Sequence, residues 1–262
     1  NNSCAYDTVI FILYNFWSTT HTSGVSYFDE QGNHWLSLFA NTFLSFSCRE
    51  YTLEQVRDYL RRALHREYPE VFVFGRHMSI EAIMMKLMAC QTHFSMLSYK
   101  CACGYEMSMS TQYCAIIEPS STAPLRWDTL QQYIDNMRCI PSNSTESKCP
   151  LCNENADKCT VYKFAPTILP VTVSFVSAPA EDIINIVVDG VVCNYRLKGI
   201  VYYADHHFTA RFIDSTNMVW FNNGMIQGRA AMMEGSSDSI AFGTDKCNRS
   251  LDTYIYARQD TV

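Results

Sequence analysis

No stretch of the chain approaches the ~20 consecutive apolar residues needed to cross a bilayer, so no segment reads as a transmembrane helix. No signal peptide is visible either. The apolar run from Val9 to Leu13 is short, and aromatics follow it rather than a small-residue cleavage site. Charge is sparse: charged residues make up 18% of the 262, and the net charge is −6. A general nucleic-acid binder normally presents a basic face, and this balance argues against one. Internal repeats and low-complexity tracts are absent, which excludes a solenoid or a long linker. With hydrophobic residues at 48%, the chain can bury a sizeable core and is not disordered.

Cysteine is abundant, at 12 residues. A disulfide framework is not the expected use, because a chain of this length needs no staples and no secretory signal is seen. A reducing compartment, cytosol or nucleus, is expected. The sequons at Asn143 and Asn248 are then chance matches.

Helical signals fill the first half. Apolar residues cover every face from Cys4 to about Trp17, the mark of a helix buried all round. Thr52 and Gln55 fit a capping box ahead of Val56, Tyr59, Leu60, Ala63 and Leu64. Ser79 can cap a helix carrying Ile80, Ile83, Met84, Leu87 and Met88, whose methionines are expected to be core filler. The second half reads as strands: Ile168 to Phe175, Ile183 to Val188, Tyr195 to Tyr203, His207 to Ile213, Met218 to Phe221 and Thr253 to Ala257. Turn residues at Asp205, at Asp214 to Asn217 and at Asn222-Asn223-Gly224 separate several of them and suggest an antiparallel meander. Helices followed by an antiparallel sheet indicate an α+β fold.

Three residues then stand out in order: Cys4, His207 and Asn222. Cys4 heads the first helix, where unpaired N–H groups and the positive end of the dipole favour a thiolate and can hold an oxyanion. His207 lies on a strand, sharing a face with Thr209 and Arg211 and opposed to the face of His206. Asn222, with Asn223 as the second choice, ends the next strand, where its carbonyl can fix the imidazole tautomer. Each has a bland use: a small buried thiol, a structural histidine, a turn amide. Together they are what a thiol protease needs, a nucleophile, a base and an orienting amide.

Cys101-Ala102-Cys103-Gly104 and Cys149-Pro150-Leu151-Cys152 read as two halves of one zinc site. Four thiolates on two tight turns complete a tetrahedral shell, and a closed shell with no place for water is structural. Cys114 or Cys159 could replace one ligand, and redox use of Cys149 and Cys152 is the weaker reading.

These pieces resemble the ubiquitin-specific protease family of thiol isopeptidases. Asn2-Ser3-Cys4-Ala5-Tyr6-Asp7 resembles the family's cysteine box, His206-His207-Phe208-Thr209-Ala210 its histidine box, and Trp220-Phe221-Asn222-Asn223 the box of its third member. Leu169 to Phe175 is similar to the family's Leu-Pro strand, and Tyr254 to Arg258 to its closing strand. His206 stands where the family carries glycine, and the loop from Val201 to His207 is shorter than usual, as in the family's divergent SUMO-cleaving relatives. The resemblance implies a papain-like core with a helical thumb over 1–95, zinc-bearing fingers over 96–165 and a palm sheet over 166–262. It implies one structural Zn²⁺, an oxyanion role for backbone N–H groups around Cys4 with Asn2, and cleavage after the C-terminal glycine of ubiquitin. SUMO or another modifier, and a catalytically silent modifier-binding module, are the alternatives.

Overall fold

The computed structural model describes residues 3–21, 28, 33–89, 91–116, 125–140, 148–174 and 176–259. Four helices come first: α1 (Cys4–His21), α2 (His34–Ser47), α3 (Leu53–Glu67) and α4 (Ile80–Leu87). Next are strands β1 (Ser95–Lys100), β2 (Glu106–Thr111) and β3 (Leu125–Arg126), helix α5 (Leu130–Arg138), and strands β4 (Cys139–Ile140) and β5 (Asp157–Tyr162). The rest is largely sheet: β6 (Ile168–Thr172), β7 (Val176–Ser177), β8 (Ile183–Val188), β9 (Val191–Ala204), β10 (His207–Ile213), β11 (Met218–Asn222), the short helix α6 (Gly224–Gln227), β12 (Met232–Ser236) and β13 (Ser250–Arg258). This is the expected α+β arrangement. Among the described residues no helix is long and apolar enough to cross a membrane.

Local chemistry sets the helix boundaries. Thr52 and Gln55 make the reciprocal bonds of a capping box at α3, and Ser79 accepts from the Ala82 N–H at α4. Asn33 caps α2 through the N–H groups of Trp35 and Leu36. Helix α2 was not among the elements expected from sequence, although Trp35, Leu36, Phe39 and Phe43 make a buried stripe at helical spacing behind the Asn33 cap. Met84 and Met88 are buried in the core.

Eleven strands form one sheet in the order β12-β11-β10-β9-β8-β5-β1-β2, with β13 lying between β9 and β6 and β4 alongside β5. Among the described residues the named strands of this sheet pair antiparallel except where β5 meets β8 at Tyr162 and Val188, while β3 and β7 pair in parallel apart from it. The strand expected over Ile168 to Phe175 ends at Thr172, since the chain then bends and Val176 N–H donates to Val173.

Helix α1 packs across β9 and β10, with α2, α3 and α4 on its other sides. Val9, Ile12 and Leu13 are almost wholly buried. The closest approach is at Gly199 of β9, where a Cβ would lie 2.6 Å from the Cγ2 of Ile12. Only a residue without a side chain lets the helix sit this low. Gly199→Ala should therefore cost about 1–3 kcal/mol through overpacking. Combined with Ile12→Ala it should cost less than the two single changes summed, because the clash is gone; additive losses in a denaturant-melting cycle would refute the contact.

Candidate active site

The cysteine is placed by the first turn of α1. Ser3 donates its hydroxyl to Asp7 Oδ2 at 2.8 Å, and the Asp7 N–H bonds back to the Ser3 carbonyl at 2.9 Å. Arg57 of α3 reaches Asp7 Oδ1 at 3.4 Å. Burial nonetheless pushes the Asp7 carboxyl up from its ordinary value, more than Ser3 and Arg57 pull it down. Cys4, half-buried, borders a cleft of about 560 Å³ together with His77, His206, His207, Asn222 and Met225. Asn2, the expected helper at the oxyanion, lies outside the described residues.

The histidine is placed by a two-residue hairpin. Strand β9 runs to Ala204, β10 starts at His207, and between them Asp205 (φ 51°) and His206 (φ 60°) both adopt left-handed backbone. This is the conformation of a type I′ turn, which normally takes Asn or Asp followed by glycine. The short loop and the histidine in place of glycine are thus one feature. His206 carries the strain; its ring lies 5.7 Å from that of His77, and Tyr203 Oη is 3.4 Å from its Nδ1.

The amide contacting His207 is Asn223. Asn223 Oδ1 lies 2.9 Å from His207 Nε2 and also accepts the Met225 N–H at 3.2 Å. Because a backbone N–H can only donate, the second bond fixes which Asn223 atom is oxygen. Nε2 then carries the proton and Nδ1 keeps the lone pair. Asn222, the first choice from sequence, turns its amide to the carbonyls of Gly228 and Ala230 at 3.1 and 2.6 Å.

Register explains the difference. Ala210 pairs with Asn222, so Asn223 continues opposite Thr209, on the face that Thr209 shares with His207. Asn222 lies on the Phe208 and Ala210 face and borders a groove beside Ile10 and Phe11 of α1. A shift of one residue exchanges the faces. The turn at Asp214, where Asp214 Oδ1 accepts from the N–H groups of Thr216 and Met218, sets this register and was the usable sequence signal.

The same parity bears on the thiol. Gly199, against α1, pairs with Phe212, so α1 covers the Phe208–Ala210–Phe212 face and His207 opens β10 on the other. The two meet at the sheet's end, where both border the cleft. Cys4 Sγ is 3.9 Å from the His206 carbonyl oxygen, and no hydrogen bond joins it to His207 among the described residues. Below His207 a buried network stiffens the strand. Thr209 donates to Asp245 at 2.6 Å, and Arg211 bonds Glu234 at 2.6 Å and Tyr202 at 2.7 Å. Burial opposes ionisation of Asp245, but bonds from Thr209 and the N–H groups of Arg249 and Cys247 hold its carboxyl below the usual range. Asp245 and Glu234 had no sequence signal of their own.

Away from the cleft, the sulfurs of Cys101, Cys103, Cys149 and Cys152 all lie within 4.8 Å of one another. Cys101 to Cys152 is 3.6 Å and Cys103 to Cys149 is 3.8 Å. A tetrahedral ion with ~2.3 Å bonds to sulfur sets its ligands about 3.8 Å apart, so the four fit one metal ion. Cys101-Ala102-Cys103 forms the tip of the β1–β2 hairpin, and the Leu151 N–H points at Cys149 Sγ at 3.4 Å. Against desolvation, the N–H groups of Cys152 and Leu151 bring the Cys149 thiol down to about 7. The alternative ligands are elsewhere: Cys114 is buried in the core, and Cys159 pairs with Cys139.

No protein-family profile and no curated protein sequence matches this chain. Solved structures do. A chain of the yeast SAGA DUB module with mutant Sgf73 superposes with TM-score 0.54 at 11% identity, over 100% of this chain and 68% of that one. The Saccharomyces cerevisiae Pan2 pseudoubiquitin hydrolase–RNA exonuclease module superposes with TM-score 0.58 at 11% identity, over 98% of this chain and 53% of that one. The same module in complex with A7 RNA gives 0.55 at 10%, over 97% and 52%. The chain thus has a divergent form of the ubiquitin-specific protease fold, and it spans about half to two thirds of the length of these neighbours. Since one neighbour is a deubiquitinase module and another a pseudohydrolase, the fold leaves activity to be argued from the side chains.

Relief of the turn offers a direct check. His206→Gly should stabilise the protein by about 1 kcal/mol, because glycine takes the left-handed conformation without the penalty of a Cβ. A thermal melt showing no gain, or a loss, would show that His206 packing outweighs its backbone strain.

Proposed function

We propose that this protein is a cysteine isopeptidase that removes ubiquitin from conjugated proteins by cleaving after its C-terminal glycine. The observation that carries this is the pairing of His207 with Asn223 at the cleft that Cys4 borders. Asn223 keeps the proton on Nε2, so Nδ1 is the basic nitrogen and receives the thiol proton. The Cys4 sulfur attacks the glycine carbonyl, and the N–H groups at the start of α1 receive the oxyanion. His207 returns the proton to the leaving lysine amine, and water then hydrolyses the thioester. Activation requires the thiol to leave the His206 carbonyl and meet Nδ1. Free proteases often hold such contacts long until substrate arrives.

Asn223 is the orienting residue in this reading, and Asn222 braces the α6 turn. Asn223→Ala should lower kcat by about 10²-fold or more, with a much smaller effect from Asn222→Ala. The reverse ranking would return the role to Asn222. Mechanism-based probes built on ubiquitin, SUMO and NEDD8 test the substrate directly. Labelling of Cys4 by the ubiquitin probe alone is expected, Cys4→Ala abolishes it, and labelling by SUMO alone would reassign the modifier.

The separation of Cys4 from the imidazole, with the thiol on a carbonyl, favours one other reading: a silent module that holds a modifier. Iodoacetamide at pH 6 separates the two, since an activated thiolate reacts there and a structural thiol barely does.

For the cysteine cluster we propose one structural Zn²⁺, held by Cys101, Cys103, Cys149 and Cys152. When bound, the ion ties the β1–β2 tip to the second cysteine turn and leaves no position for water. Purified protein should carry about one zinc per chain. Cys152→Ser should lose it and expose the hairpin tip to protease; full retention would remove Cys152 from the ligand set.

A further inference from the structure

One more pair of thiols is brought together outside the cleft and the four-cysteine cluster. Cys139 opens β4 and Cys159 lies within β5, directly opposite in the antiparallel ladder. Their sulfurs are 3.0 Å apart, with Cys159 donating to Cys139. Both are free thiols; Cys139 is exposed and Cys159 half-buried.

The backbone suits a covalent link. Directly opposed antiparallel residues have Cα atoms about 4.5 or 5.5 Å apart. Disulfides span about 4.4–6.8 Å between Cα atoms, with sulfurs bonded at about 2.0 Å. The sulfurs therefore need to close by roughly 1 Å. Strand β4 is two residues long and, among the described residues, has β5 as its one strand neighbour, so closing the sulfurs asks movement of a short segment.

We propose that Cys139 and Cys159 form a reversible intramolecular disulfide when the protein meets a hydroperoxide. The Cys139 sulfur attacks the peroxide, the O–O bond breaks, and the sulfur becomes a sulfenic acid. The thiol proton leaves with the departing water or alcohol. The Cys159 thiol then attacks the same sulfur, the S–O bond breaks, and the hydroxyl departs with the Cys159 proton as water. Two electrons pass from the two thiols to the peroxide, and a small thiol reverses the reaction by exchange. The order of attack follows from exposure. It also follows from the neighbouring Cys139 thiol and then burial, which push the Cys159 thiol up to about 11.

The link closes a ring of chain from 139 to 159 that carries Cys149 and Cys152. Fastening that ring restricts the second cysteine turn when it is not held by metal. The oxidised form should then give up its metal more slowly.

The test uses the zinc-loaded protein, treated with a small excess of hydrogen peroxide, alkylated and mapped by peptide mass spectrometry. The expected product is a Cys139–Cys159 linked peptide, about 2 Da lighter than its reduced parts and restored by dithiothreitol. Cys139→Ser and Cys159→Ser should each abolish it. A chelator should strip zinc severalfold more slowly from the oxidised wild type than from Cys139→Ser treated alike. Full alkylation of both thiols after the four cluster cysteines have begun to oxidise would overturn the proposal. So would linkage of either thiol to a cluster cysteine, or a Cys139 that ends as sulfinic acid with Cys159 untouched.

Discussion

Everything at the cleft depends on how low α1 sits on the sheet. The helix is largely apolar and must bury that surface, and among the described residues β9 and β10 cover a face that α2, α3 and α4 leave open. Gly199 lets Ile12 press against the strand backbone. That contact sets the height of the helix, and the height carries Cys4 to the end of the sheet where β10 begins.

The order Cys4, His207, Asn222/Asn223 was legible because each residue sits in a local pattern: a helix start, an alternating strand, a turn-forming pair. The four metal-fitting cysteines were legible from spacing alone, since two short pairs leave few other geometries. The choice between Asn222 and Asn223 was not, because side-chain direction in a strand is a matter of register, and register depends on the pairing across a turn. Asp214 contains that information, as its carboxylate gathers two N–H groups and the Trp220 indole at 2.8 Å. Counting pairs outward from that turn gives Asn223 the position opposite Thr209. The Asp245 and Glu234 braces were illegible for a different reason. Glu234 is defined by Arg211, 23 residues away, and Asp245 by Thr209, 36 residues away, and no local pattern announces either.

The left-handed residues Asp205 and His206 connect the fold to the chemistry. A two-residue hairpin brings β10 back with no slack, so the start of that strand is fixed to the end of β9. The cost is a non-glycine residue in a conformation that disfavours a Cβ. The same turn points the His206 carbonyl at the Cys4 sulfur. Turn and thiol are therefore in contact at one point, the His206 carbonyl. Strain of this kind at a cleft persists only where the surrounding structure overdetermines it. Here the Thr209–Asp245 and Arg211–Glu234 bonds anchor β10 from below.

The two cysteine sites differ in what they ask of the chain. Four sulfurs gathered from two separate turns, at tetrahedral spacing, have no cohesion of their own; thiols so close repel as they ionise, and only a cation compensates them. Cys139 and Cys159 need no cation. They face each other across one ladder, are joined by a hydrogen bond, and differ in exposure, which is the arrangement of a pair that can be joined or left open. Sequence spacing separates these cases poorly, since 12 cysteines allow many pairings. Strand pairing separates them at once: a metal collects ligands from turns, where the backbone is free to curl around it, whereas a cross-strand pair sits where the backbone is already committed to a neighbour.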